Sequence, residues 1–80
     1  MIEERYNYKA IKDHCKMTMA KEGFSQEQMA KILGYSQQNI QYALSEPNRM
    51  QPIIWDMFLE MDYEITMTPN FVKINKMVRR

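Results

Sequence analysis

From Ser36 to Ser45 the chain reads Ser-Gln-Gln-Asn-Ile-Gln-Tyr-Ala-Leu-Ser, ten residues without a formal charge. At helical spacing Ile40, Ala43 and Leu44 share one side, which leaves Gln37, Gln38, Gln41, Tyr42 and Ser45 on the other. A solvated helix face is ordinarily filled with Glu and Lys, which pair at i,i+4 and keep a protein soluble. Carboxamides do something else. Each donates and accepts at once, so it can form two parallel hydrogen bonds to an edge presenting a donor beside an acceptor, as N6 and N7 of adenine do in the major groove. A tyrosine beside them can pack on a thymine methyl or reach a phosphate. A polar face of this kind also suits a protein partner.

Other chemistries have little to work with. There is one His and one Cys, no metal-ligand spacing, no phosphate-cradling Gly-rich loop among two Gly residues, and no acid/base pair. No enzyme, catalytic residue, metal, cofactor or small-molecule substrate is expected. Cys15 falls on an apolar stripe and reads as a small core residue. His14 lies off that stripe, and the nine Met residues read mostly as core fillers.

The elements that must position the amide face follow from local signals. Tyr8, Ile11, Cys15 and Met19, spaced by three and four, predict a helix over about 7–22, stopped by Gly23. Phe24-Ser25-Gln26-Glu27-Gln28-Met29 has a capping serine, a Gln three residues on, and a Phe24–Met29 staple. Tyr35-Ser36-Gln37-Gln38-Asn39-Ile40 repeats the pattern, with Tyr35 set to staple onto Ile40. Helices over about 26–33 and 37–44, separated by Gly34, Tyr35 and Ser36, must then cross steeply. Pro52 opens a fourth helix, about 52–62, whose Ile54, Met57, Phe58 and Met61 form one stripe. Trp55 and Leu59 form a second, more than one small core can cover. Beyond Asp62 the period falls to two: Tyr63, Ile65 and Met67 alternate with polar residues, predicting a strand over 63–68. A second strand is expected at 71–75 and a tail at 76–80. Pro69 disfavours a two-residue hairpin between the strands. A longer loop would allow one, and otherwise the first strand keeps an open edge for a second subunit.

The stretch Phe24–Leu44 resembles the DNA-binding helix-turn-helix of the Cro and lambda-repressor (XRE) family. Ala30 is small where two helices approach, Gly34 supplies a left-handed turn, and Met29, Leu33, Tyr35, Ile40 and Ala43 supply apolar contacts. The motif spans 21 residues, and the four-helix layout extends the likeness over about 8–61. The resemblance implies a mainly α, four-helix lambda-repressor-like domain with a C-terminal β-strand or hairpin. It implies base contacts from Gln37, Gln38 and Gln41, with Tyr42 beside them, and phosphate contacts from Gln26, Ser36, Asn39, Asn48 and Arg49. In that family a Gln at the position of Gln26 touches a phosphate while bracing one at the position of Gln37. The reading helix here lacks the Arg or Lys that many relatives use on guanine, so an A·T-leaning palindromic operator is expected. Lys31, Arg49 and the basic residues of 73–80 are candidates for phosphate attraction. One such helix reads too few base pairs alone, so a homodimer is expected, through Trp55, Leu59, Tyr63, Ile65 and Met67.

Length and charge bound the alternatives. Eighty residues form one domain, of net charge +1. Near-neutrality argues at first against nucleic acid, but the charge is polarised: Asp56, Glu60, Asp62 and Glu64 give 51–68 a charge of −4, and Lys73, Lys76, Arg79 and Arg80 give 69–80 a charge of +4. These blocks can neutralise one another in the fold or across a dimer. No apolar run approaches a membrane span and no signal layout opens the chain, so a soluble, cytoplasmic domain is expected, and the resemblance implies a repressor of a phage or mobile element. The alternative is a phage-type protein-binding inhibitor, such as an anti-CRISPR, on the same scaffold. Leu44-Ser45-Glu46 is similar to regulators of anti-CRISPR operons, and in an inhibitor the acidic block would be the active surface.

Overall fold

The computed structural model describes residues 2–4 and 7–77. In chain order they form β1 (Ile2–Glu4), α1 (Tyr8–Glu22), α2 (Gln26–Leu33), α3 (Gln37–Ser45), α4 (Pro52–Glu60), β2 (Tyr63–Met67) and β3 (Val72–Lys76). The protein is mainly helical with a small antiparallel sheet. That agrees with the expected class except for β1, which lengthens the sheet to three strands in the order β1-β3-β2.

The helix boundaries are set where capping chemistry puts them. Asn7 stays extended and its Oδ1 accepts from the Ala10 N–H at 3.0 Å, opening α1. Gly23 closes it at φ 81°, the left-handed conformation that costs glycine least. Ser25 and Gln28 form the full capping box of α2: Ser25 Oγ accepts from Gln28 N at 3.0 Å, and Gln28 Oε1 accepts from Ser25 N at 2.9 Å. Gly34, at φ 77°, ends α2, and Ser36 Oγ accepts from Asn39 N at 3.1 Å to open α3. Pro52 is in the first turn of α4, where its missing N–H costs nothing.

The core lies where the four helices and the sheet meet. Ile11, Cys15, Met29, Ile40, Ile54, Met57, Phe58, Val72 and Ile74 are all buried. Phe58 is its cross-link: its ring stacks on His14 of α1 at 5.9 Å and meets Tyr63 of β2 edge-on at 6.2 Å. Tyr35 is more exposed than its expected part in the α2–α3 packing implies, whereas Met29, Ile40 and Ala43 are buried as that packing requires.

Burial pushes the Cys15 thiol up to about 12, so the native protein holds it protonated and inert. A disulfide exchange reagent at about pH 8 is expected to label Cys15 only after denaturant is added. Fast stoichiometric labelling of the native protein would contradict this burial.

Asp62, at φ 67°, turns the chain out of α4 into β2, a conformation Asp tolerates better than most residues. β2 and β3 then pair as a hairpin, Tyr63 opposite Lys76 and Met67 opposite Val72. Its loop is four residues long, 68–71, which accommodates Pro69. Thr68 closes it: its backbone N–H donates to Phe71 O at 2.8 Å, and its Oγ1 accepts from Phe71 N at 3.2 Å. β3 is the central strand, with β1 on its other side in the register Ile2 opposite Ile74. β2 keeps its outer edge unpaired within the sheet.

Lys76 ties the end of β3 to the end of α1 through an ion pair with Glu22, and its ammonium stands 5.1 Å over the Tyr63 ring. Within the chain, this basic residue is thus neutralised mainly by α1, with Asp62 adding a smaller pull. The hydrogen bond from Lys76 holds the Glu22 carboxyl below the usual carboxylate range. A depressed folded value means the pair stabilises the fold above the unfolded Glu value and loses that effect as pH falls through the folded one. Both groups meet solvent, so the effect is small. Urea midpoints of the parent and Glu22→Gln are expected to differ slightly at neutral pH and to converge below about pH 3. A difference that persists in acid would contradict the assignment.

Candidate nucleic-acid interface

α3 divides its residues sharply. Ile40, Ala43 and Leu44 are buried against the other helices, and every other residue from Gln37 to Ser45 is exposed. Among the described residues, none hydrogen-bonds to the side-chain amides of Gln37, Gln38 or Gln41. Each keeps its donor and acceptor for an external partner. Tyr42 is 52% exposed and lines a shallow groove with Tyr35 and Asn39 of the turn and helix, facing Gln51, Pro52 and Ile53 at the start of α4. Ser45 is turned back on its own helix, its hydroxyl donating to Gln41 O at 2.8 Å.

The candidate phosphate contacts flank this face. Ser36 already accepts from Asn39 N, leaving its hydroxyl proton to donate. Gln26, in the first turn of α2, borders a hollow with Lys16, Met19, Phe24 and Leu44. No hydrogen bond joins it to Gln37, so the brace implied by the family resemblance is not formed in the chain as it stands. Asn48 and Arg49 are exposed in the loop after α3. Lys31 is exposed beside Glu27 at 3.8 Å, and Lys73 is half-buried on β3. Arg79 and Arg80 lie outside the described residues.

The proposed dimer residues separate. Leu59 is 51% and Met67 43% exposed, and Trp55 and Ile65 are half-buried. Tyr63 is 8% exposed and packs against Phe58, so its ring belongs to the chain's own core. The first residue of β2 lies over α4, and the strand leaves that cover as it proceeds.

Sequence reasoning missed Lys12. Its ammonium is buried and donates to the main-chain oxygens of Glu46 and Arg49 and, at 2.8 Å, to Gln51 Oε1. Burial holds it below the usual lysine range. The signal was present: Lys12 lies at helical spacing between Tyr8, Cys15 and Met19, a cation on an apolar stripe.

The sequence matches no protein-family model, and neither a curated protein nor a solved structure matches it. Among the described residues, no helix is long and apolar enough to cross a membrane.

Proposed function

We propose that the chain is a sequence-specific, double-stranded-DNA-binding regulator of the helix-turn-helix type, in the manner of Cro and lambda repressor. α2 and α3 are its motif, and it acts as a cytoplasmic homodimeric repressor without enzymatic activity. The supporting observation is the outer face of α3, an uncharged row of exposed, unengaged amides on a helix whose opposite face is locked into the core. Gln37, Gln38 and Gln41 read base edges, with Tyr42 at the rim, and the operator leans to A·T because no Arg or Lys stands ready for guanine. Gln26, Ser36, Asn39, Asn48 and Arg49 meet phosphates and set the register. Two copies, joined through Leu59, Trp55, Met67 and the open edge of β2, place two such helices about 34 Å apart.

A second reading has its own observation. Leu59 and Glu60 are exposed on the outer face of α4, with Asp56 half-buried beside them. A protein-binding inhibitor would use that face and leave α3 idle.

Anisotropy titration against a duplex selected from a random pool separates the two. A regulator binds, loses affinity steeply as salt rises, and loses about 1–3 kcal/mol in each of Gln37→Ala and Gln41→Ala together with its A·T preference. If both variants bind every sequence as the parent does, the recognition face is wrongly assigned. Failure to bind any duplex at low salt favours the inhibitor.

A further inference from the structure

A lysine that is 1% exposed and whose ammonium is hydrogen-bonded only to uncharged oxygens is unusual, because burying a charge is costly unless every donor is matched. At Lys12 the match is complete, three donors for three oxygens. The acceptors are 34, 37 and 39 residues further along the chain, all within the connection between α3 and α4. The Glu46 carboxylate accepts from Asn48 N at 2.8 Å and attracts Lys12 only through space, while Arg49 repels it. Lys12 therefore hydrogen-bonds the loop itself, through two main-chain carbonyls and the Gln51 side chain, rather than forming an ion pair. Pro47, Asn48 and Arg49 are all exposed, so apart from Met50, which packs against the core, the loop has no apolar anchor of its own.

From this geometry we propose that Lys12 is a positioning residue for phosphate contact. By holding the Glu46 and Arg49 carbonyls and the Gln51 amide from beneath, it presents the outer side of the loop, Asn48 and Arg49, at a fixed height beside the end of α3. The inference rests on the DNA reading proposed above and adds the device that orients part of its backbone contact. A cation at this site acts twice. It replaces the water the loop carbonyls would otherwise need, and it raises the positive potential beneath the face that meets phosphate. A neutral side chain of the same length does neither.

The test uses the full chain and a short alternating A·T duplex as the probe, with Lys12→Met and the milder Gln51→Leu, which removes one acceptor and keeps the ammonium. Both are studied at a temperature where circular dichroism shows them folded. In the free protein, exchange of the Glu46, Asn48 and Ile54 amides is expected to quicken about tenfold in Lys12→Met and less in Gln51→Leu, with the α2 amides unchanged. On the duplex, the slope of log affinity against log salt is expected to shrink by about one for each subunit in Lys12→Met, while the A·T preference stays. A merely structural role would lower the folded fraction without changing that slope. If the loop loosens and the slope does not move, or if the loop amides exchange as in the parent, the Lys12 inference is overturned while the DNA reading stands. Should Lys12→Met not fold, Gln51→Leu decides: loop amides that exchange faster together with weaker duplex binding at unchanged A·T preference support the inference, and loop exchange or affinity equal to the parent's overturns it. A parent that binds no duplex overturns the DNA reading, and with it the phosphate role of the loop, whatever the exchange rates.

Discussion

Lys12→Met is expected to lower folding stability by about 3 kcal/mol, since three acceptors each lose their donor at about 1 kcal/mol. Methionine fits the stripe between Ile11 and Cys15, so little is lost in packing. The cost comes from the Glu46 and Arg49 carbonyls and the Gln51 amide oxygen, which Lys12 satisfies together. It sits at the low end for each group because the loop is exposed and its oxygens can turn to water once released. Gln51 is worse placed, because its Nε2 is already buried without a partner. Urea unfolding followed by circular dichroism measures the loss. A variant as stable as the parent would mean that the Lys12 contacts contribute nothing net.

Phe58→Ala is expected to cost more, about 3–5 kcal/mol. The side chain is fully buried and joins three elements, stacking on His14 of α1 and meeting Tyr63 of β2 edge-on. The hole left would border each of them, and a small core has few neighbours able to collapse into it. An eighty-residue domain holds roughly 4–12 kcal/mol in total, so the variant should be largely unfolded at 37 °C by near-ultraviolet and thermal circular dichroism. One turn-neighbour provides the contrast. Leu59 is half-exposed in the single chain, so Leu59→Ala should change monomer stability by less than about 0.5 kcal/mol while weakening self-association in sedimentation. A stable, native-like Phe58→Ala protein would contradict the core as described.

The two predictions divide the chain into what its sequence made legible and what it did not. The caps at Ser25 and Ser36, the glycines at 23 and 34 and the opening proline of α4 act within a few residues, and each helix lies within two residues of its expected bounds. The stripe Ile54, Met57, Phe58 and Met61 is buried as its period requires. What escaped depends on distant partners. β1 is three residues long, too short to show a period, and exists only because Ile2–Glu4 meet β3 at the far end of the chain. Lys12 acquires its role from oxygens more than thirty residues away. Alternation in Tyr63, Ile65 and Met67 indicates a strand without indicating how far α4 covers it, which is why the burial of the Tyr63 ring against Phe58 is not legible in it. Pro69 correctly disfavoured a two-residue turn, and the four-residue loop pinned by Thr68 is the alternative it left open.

The amide face of α3 occupies an intermediate position. Its exposure follows from periodicity and the structure bears that out, whereas the missing Gln26–Gln37 brace departs from what the family resemblance implies. What it binds rests on chemistry alone, so the most direct measurement observes those amides while a ligand is added. In a nitrogen-15 correlation spectrum of the protein titrated with a selected A·T-rich duplex, the largest shifts are expected at the side-chain amides of Gln37, Gln38 and Gln41. Smaller shifts are expected in the first turn of α2 and at Asn48 and Arg49, and the whole response should collapse at high salt. Shifts confined to Trp55, Asp56, Leu59 and Glu60, or a spectrum that no duplex perturbs at low salt, would contradict the account.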